Sequence, residues 1–327
     1  MEGVWLHEND AVLPLTLTVT ESRRASSTMV AVVLLLAAHS SALVVAPPAN
    51  VFVFGPGSLE VQLITAKLGA RTGYGVSVLQ PKAWAAQCKA TRLMYGSDEA
   101  ELDSNLRLVA ANSEIGGALA KADAAVLVAE AGGSTGAATT IRNAPALRRL
   151  VLLSAVGGSK GIGGDQVLGE GKKIQECEEE VKALAASAGV ELSIVRAGIL
   201  KGGGPAGGGR EGYAGPSDFG LDAAYYATLT SGGYETVRRR CTMAYDAVTL
   251  GASVSPGDAI EPRNAVARAL AKGSTEACAD EASRINCAGA LLACLRQPRP
   301  LELSLSSQEG TVPPTDEEWD RMLRELP

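Results

Sequence analysis

The sequence predicts an α/β fold from about residue 50 onward, built on a doubly wound parallel sheet with a small irregular C-terminal extension. Two observations carry this prediction. Short strands that are apolar on both faces, such as Ala124–Ala129 (AAVLVA), alternate with helical segments, which is typical of a parallel sheet covered by helices on both sides. The first strand, Val51–Phe54, also breaks into a glycine turn that leads directly into a helix, so the predicted sheet is Rossmann-like.

The predicted elements alternate regularly until Gly198 and become irregular after it. The regular part comprises strands 51–54, 76–79, 106–110, 124–129, 149–155 and 192–195, and helices 58–68, 87–103, 114–120 and 172–187. The later part comprises helices 222–229, 261–271 and 315–326 and strands 247–254 and 284–288. Between them the glycine-rich segment 201–215 (KGGGPAGGGREGYAG) cannot hold helix or strand, and a linker and a substrate-covering lid are equally good interpretations.

Three segments follow from this pattern: a targeting segment at 1–46, a Rossmann-like domain at 50–300, and a C-terminal tail with a terminal helix at 301–327. Within the first segment, 29–46 (MVAVVLLLAAHSSALVVA) has the apolar run and small-residue end of a signal peptide. A membrane anchor is the alternative, although His39, Ser40 and Ser41 interrupt the run.

The end of this run, SSALVVAPP, resembles the cleavage region of the bipartite plastid presequences of algae with complex plastids. That resemblance implies delivery to a plastid through an ER-type signal peptide. The Phe that usually follows the cleavage site and the basic, hydroxylated transit segment are missing here. Another compartment of the secretory pathway, or a membrane-anchored protein, is therefore the alternative.

Composition and charge exclude several classes of function. The net charge of -6 and the pI near 5.2 argue against the electropositive face that nucleic-acid binding needs. The six cysteines are scattered and none has zinc-ligand spacing, so no metal site is predicted. The only histidines, His7 and His39, lie in the predicted targeting segment. Two G-x-S-x-G matches, at Gly132 and Gly157, therefore lack the imidazole base that a serine nucleophile requires.

The turn after the first strand is the candidate phosphate site. A strand that ends in a glycine turn and leads into a helix points backbone N–H groups and the positive helix end at one place. Gly55, Gly57, Ser58 and Leu59 occupy that place, while Glu60 stands where the third glycine of G-x-G-x-x-G would fall. A carboxylate there would repel phosphates, so a purely structural turn is an equally good interpretation.

Around this turn the chain resembles an atypical short-chain dehydrogenase/reductase over roughly residues 50–288. Four stretches carry the resemblance: VFVFGPGS, ADAAVLVAEAGG, RRLVLLSAVGG and ELSIVRAGIL, and GDAIEPRNAVARAL resembles the late helix of that family. The resemblance implies that the fourth-strand loop at Ala129 lies beside the adenosine and ribose. It also implies that Ser154 faces the nicotinamide and that the turn containing Arg196 and Gly198 packs on the cofactor.

The cofactor implied is NADP or NAD. The residues after the second strand distinguish them, since an acid there would bind the ribose hydroxyls and a base would bind the 2'-phosphate. Here Gln80 and Lys82 are present and no acid is, which favours NADP. Lys82 is equally well explained as a solvated surface charge.

Catalysis is the open question. Reductases of the resembled family use a tyrosine four residues before a lysine; Lys172 lies in the right region, but Leu168 stands four residues before it. The favoured function is therefore a dinucleotide-binding protein without committed catalysis. The alternatives are an NADP-dependent oxidoreductase that uses Ser154, Lys172 and another proton donor, and a cofactor-free scaffold with protein partners in assembly. The acids at 178–180 are interpreted as the solvated face of a helix.

Overall fold

An eight-stranded sheet forms the centre of the fold in the computed structural model. The structure describes residues 48–80, 84–97, 100–110, 114–162, 170–204, 219–222, 245–264 and 278–327. All of them belong to one unit, Val45–Pro327. The predicted targeting segment lies outside these ranges, as do most of the helices predicted at 222–229 and 261–271. Within the described ranges, every helix is too short or too polar to cross a bilayer.

The sheet confirms the Rossmann-like prediction. Its strands are β1 (Asn50–Phe54), β2 (Gly75–Gln80), β3 (Leu106–Ala110), β4 (Ala124–Val128), β5 (Arg149–Ala155), β6 (Glu191–Ala197), β8 (Gly251–Pro256) and β10 (Glu302–Gln308). They lie in the order β3-β2-β1-β4-β5-β6-β10-β8, and all pairs are parallel except the antiparallel pair of β8 and β10. The strand order reverses between β1 and β4, and in sheets of this kind the crevice lies at the carboxyl ends of the two strands at the reversal.

Helices cover both faces of this sheet. They are α1 (Leu59–Arg71), α2 (Trp84–Tyr95), α3 (Ile115–Leu119), α4 (Ala137–Asn143), α5 (Glu170–Ala188), α6 (Arg284–Arg296) and α7 (Asp316–Arg324). A short 3₁₀ helix spans Gly158–Lys160, and β7 (Ile199–Lys201) pairs in parallel with β9 (Glu281–Ser283) in a separate small sheet. Side chains on β1 alternate between two cores: Val51 and Val53 face one, and Phe52 and Phe54 face the other.

The structure differs from the sequence prediction at two places near the C-terminus. The predicted strand at 284–288 is the start of α6, whose N-cap Ser283 accepts a hydrogen bond from the Ile285 amide at 3.2 Å. A helix that is apolar nearly all round is buried on every side, and a short apolar run cannot distinguish it from a strand. Residues 302–308, assigned to the tail, form β10 inside the main sheet, where Leu303 and Leu305 are fully buried.

The last helix, α7, is stabilised by a capping box. The Thr315 hydroxyl accepts from the Glu318 amide at 3.3 Å, and the Glu318 carboxylate accepts from the Thr315 amide at 2.8 Å. We expect Thr315→Ala to lower the free energy of unfolding by about 1 kcal/mol, because the Glu318 amide loses the hydroxyl that accepts its hydrogen bond. Urea denaturation measures this loss. Thr311→Ala, an exposed change four residues earlier, is the control and should stay near wild type; equal losses for both variants would contradict the capping role.

Candidate functional site

The glycine turn after β1 packs closely against the end of β4. Gly55 has φ of 138°, and a Cβ at this position would overlap the carbonyl of Val128. The Gly57 amide donates to that same carbonyl at 2.8 Å. Only glycine tolerates both the backbone conformation and the close approach. The turn therefore brings the start of α1 to the crevice between β1 and β4.

The N-terminus of α1 faces this crevice. Ser58 is its N-cap: the hydroxyl accepts from the Val61 amide at 3.3 Å and donates to the Glu60 carboxylate at 2.9 Å. Leu59 packs on the larger core behind the turn. The four residues predicted for the phosphate site, from Gly55 to Leu59, thus lie together, and the Ser58 amide points its hydrogen out of the helix end.

A carboxylate of the chain itself occupies that position. Glu130, two residues beyond the end of β4, accepts from the Ser58 amide through Oε1 at 2.7 Å. A Cβ on Gly57 would overlap Oε2 of the same carboxylate. This Oε2 is buried and has no hydrogen-bond partner among the described residues. Burial raises the pKa of Glu130 above its ordinary value, although the amide of Ser58 and the charge of Arg284 oppose the shift.

The end of β5 carries a buried charged network that the sequence did not predict. Ser154 donates through its hydroxyl to Glu178 Oε1 at 2.6 Å. Arg196 on β6 binds the same carboxylate through Nε at 2.9 Å and Nη2 at 2.6 Å, and Nη2 also reaches Glu302 at 2.8 Å. Ser154, Glu178 and Arg196 are all buried. The prediction that Glu178 lies on a solvated helix face is therefore wrong, because this side chain faces β5 and β6 rather than water.

The two residues predicted for catalysis are not brought together. Ser154 is buried and bonded to Glu178, whereas the Lys172 side chain is 80% exposed and forms an ion pair with Glu176 at 3.6 Å. The Lys172 ammonium group is therefore paired with Glu176, one turn away on the same helix. Three tyrosines of the later segments could supply the other proton donor, and all three lie outside the described residues: Tyr213, Tyr225 and Tyr226.

The loop after β5 is also held by a carboxylate. Asp258 accepts from the Gly157 amide at 2.7 Å and from both the amide and the hydroxyl of Ser159, at 3.1 and 2.7 Å. Gly157 has φ of 76°, so its amide and that of Ser159 converge on one point. Such a nest of amides binds anions. Here the anion is supplied from a segment about a hundred residues further along the chain.

The remaining predicted residues line the sheet edge around the turn or lie just behind it. Gln80 is the buried last residue of β2, and Ala129 follows β4 directly, with its amide bonded to the Leu153 carbonyl at 3.0 Å. Gly198 joins β6 to β7, where a Cβ would overlap the Asp280 carbonyl. Lys82 lies outside the described residues. In the part of the chain that is described, no group of three or more His, Cys, Asp or Glu is placed to hold a metal ion.

Comparison with known proteins gives likeness to solved structures only. No family model matches the chain, and no curated protein does. The anaerobillin reductase ChuY of Escherichia coli O157:H7 is 14% identical, with 78% of this chain and 96% of that chain covered and a TM-score of 0.45. Gre2 of Candida albicans in complex with NADPH is 10% identical, with coverage of 80% and 79% and a TM-score of 0.46.

A UDP-N-acetylglucosamine 4-epimerase from Methanobrevibacter ruminantium M1 is 10% identical, with 81% of this chain and 80% of that chain covered and a TM-score of 0.45. These values assign no activity to the chain. The fold assignment rests on the strand order and the position of its reversal, which are those of a Rossmann-like sheet.

Proposed function

We propose that this chain is an atypical short-chain dehydrogenase/reductase-like protein that binds an NAD(P) dinucleotide at the carboxyl ends of β1 and β4. The observation that carries the proposal is the anion already held there: the Ser58 amide, at the positive end of α1, binds the Glu130 carboxylate at 2.7 Å. A helix end that binds one anion oxygen in this geometry has the chemistry to bind a phosphate oxygen.

The position of this anion site supports a dinucleotide over a smaller ligand. It lies at the point where the strand order reverses, with the β2 end on one side and the β5 end on the other. An extended ligand that crosses this point places its two halves over the two halves of the sheet. Gln80 at the end of β2, Lys82 after it and the absence of an acid between them favour NADP over NAD.

Hydride transfer through Ser154 and Lys172 is not part of the proposal. The Ser154 hydroxyl already donates to a buried carboxylate, so it is not available to donate to a substrate carbonyl. Lys172 is 80% exposed and pairs with Glu176 at the helix surface. The function supported best is therefore binding without catalysis by these two residues.

Titration of the purified protein with NADPH and NADH tests the proposal, with nicotinamide fluorescence and thermal shift followed together. We expect dissociation constants in the micromolar range, with NADPH bound more tightly. Lys82→Gln should weaken NADPH binding roughly tenfold, which is about 1.4 kcal/mol, and leave NADH unchanged, because only the 2'-phosphate loses a partner. No response to either dinucleotide at millimolar concentration would contradict the proposal.

A cofactor-free scaffold is the second candidate, and one observation favours it. Three carboxylates, those of Glu130, Glu178 and Asp258, accept hydrogen bonds from donors at the crevice. These donors, which a ligand would otherwise use, are the Ser58 amide, the Ser154 hydroxyl and the Gly157 amide. A protein in which these hydrogen-bond donors are already paired within the chain needs no ligand to be stable. The absence of binding in the titration, with the protein folded, would select this candidate.

A further inference from the structure

We infer that Glu130 is an internal competitor for the dinucleotide phosphates, and that a dinucleotide enters the crevice together with one proton that neutralises this carboxylate. The inference rests on the proposed function, since it concerns the regulation of the same site. It assigns to Glu130 a role that the sequence pattern does not indicate.

The ionised carboxylate of Glu130 excludes other anions from the N-terminal end of α1 by charge repulsion. Glu130 Oε1 accepts the Ser58 hydrogen at 2.7 Å, and Oε2 lies against Gly57, where any added atom would overlap it. A phosphate oxygen that approaches the helix end meets this carboxylate first. Two anions in a partly buried site repel each other strongly, so the ionised carboxylate and the pyrophosphate exclude one another.

The surrounding groups do not neutralise the carboxylate fully. Glu60, on the first turn of α1, adds a second negative charge and raises the pKa of Glu130. On α6, Arg284 lowers it, but the Arg284 guanidinium also donates to the Gly202 carbonyl at 2.8 Å. Cys287, also on α6, is buried, and burial raises the pKa of its thiol so that it stays neutral. Among the described residues, the charge of Glu130 is therefore opposed by that of Glu60 and offset by that of Arg284.

The atom that takes up the proton is Oε2 of Glu130. Oε2 is buried and has no partner among the described residues, whereas Oε1 is already held by Ser58. A proton taken from solvent onto Oε2 leaves Oε1 as the acceptor of the amide and turns Oε2 into a donor. That O–H can donate to a phosphate oxygen, so the side chain that excluded the ligand becomes one of its contacts. Glu130 stays in place and gains a proton; no bond other than O–H is formed.

The sign of the pH dependence follows from this step. Burial places the pKa of Glu130 above its ordinary value in the free protein, and a bound pyrophosphate raises it further because it adds negative charge. Binding therefore takes up a proton, and affinity falls as pH rises above the pKa of the free protein, by roughly tenfold per pH unit. Displacement of an ionised Glu130 into water would give the opposite sign, since its pKa would then fall on binding.

Isothermal titration calorimetry of the full-length protein with NAD⁺ tests the inference. NAD⁺ is the probe because the 2'-phosphate of NADP titrates near pH 6 and would add its own proton. Titrations at several pH values between 6 and 8, each in two buffers of different ionisation enthalpy, give the number of protons taken up. We expect proton uptake on binding, with affinity falling as the pH rises above the pKa of Glu130 in the free protein.

Glu130→Gln keeps the shape and the acceptor for the Ser58 amide but removes the charge. We expect it to bind NAD⁺ at least tenfold more tightly than wild type at pH 8, without proton uptake. Glu130→Ala should likewise be independent of pH, and it keeps the test valid if the glutamine variant does not fold. The matched control is Glu179→Gln, which removes one exposed charge from α5 and should match wild type in affinity and proton uptake.

The outcomes separate the inference from the proposed function. NAD⁺ binding with equal affinity and equal proton uptake in wild type and Glu130→Gln would overturn the inference and leave the binding site standing. Proton release on binding would also overturn it. No binding by wild type or by either variant at any pH would overturn the proposed function, and the inference with it.

Discussion

Arg196→Met is expected to lower the free energy of unfolding by about 3–5 kcal/mol. Arg196 is the only described cation bonded to the buried carboxylate of Glu178, at 2.6 and 2.9 Å. Its removal leaves an uncompensated charge between β5, β6 and α5, and the Ser154 hydroxyl alone cannot replace the hydration that burial removed. Chemical denaturation with urea, followed by circular dichroism, measures the loss.

Two controls make this prediction specific. The double variant Glu178→Gln with Arg196→Met removes the charge as well as its partner, and it should recover most of the lost stability. Lys182→Met breaks the ion pair with Glu302 at 2.7 Å, where both side chains are more than 40% exposed, and should cost less than about 1 kcal/mol. A loss for Arg196→Met no larger than that for Lys182→Met would contradict the account of a buried network.

Gly55→Ala is expected to cost about 3 kcal/mol or more. Two effects add at this position: φ of 138° is a conformation that alanine avoids, and the new Cβ would overlap the Val128 carbonyl. The turn would have to move away from β4, so the bond from the Gly57 amide to Val128 would break as well. We expect the melting temperature to fall sharply and dinucleotide binding to be lost in the fraction that remains folded.

Gly73→Ala separates the two effects. Gly73 also has a positive φ, of 94°, but no atom lies within 4 Å of the place where its Cβ would be. This variant therefore measures backbone strain alone, and about 1–2 kcal/mol is expected. If Gly55→Ala cost no more than Gly73→Ala, the close approach between the turn and β4 would not be the constraint that we describe.

Local patterns were sufficient to predict most of the sheet. β3 and β5 match the predicted bounds, and β1, β2, β4 and β6 differ from them by one or two residues at an end. Each of these strands is a short apolar run between glycine turns or helix caps, so its signal is contained in a few neighbouring residues. β10 was missed because three of the seven residues of ELSLSSQ are serines, and its two leucines alone are a weak signal.

The site was predicted less completely, because its contacts join distant parts of the chain. The turn from Gly55 to Leu59 is one contiguous segment and was predicted. By contrast, Ser58 and Glu130 are 72 residues apart, and Gly157 and Asp258 are 101 apart. No local pattern reports which carboxylate a helix end or an amide nest will meet after folding.

Two signals in the sequence could have identified the missed acids. Glu130 is the only charged residue between positions 124 and 141, in a segment that is otherwise apolar, small or hydroxylated. Glu178 falls on the apolar stripe of α5, since Ile174, Val181 and Ala185 share its helix face. A charge on an apolar stripe is buried with a partner or not at all. Applied to Glu178, that principle predicts the internal ion pair.

Binding of a dinucleotide at the turn after β1, in competition with Glu130, can be measured directly. A side-by-side measurement of NADPH dissociation constants for wild type and Glu130→Gln at pH 8 tests it most directly. The account predicts that both proteins bind and that the variant binds at least tenfold more tightly. Failure of both proteins to bind NADPH at millimolar concentration, while both remain folded, would contradict it.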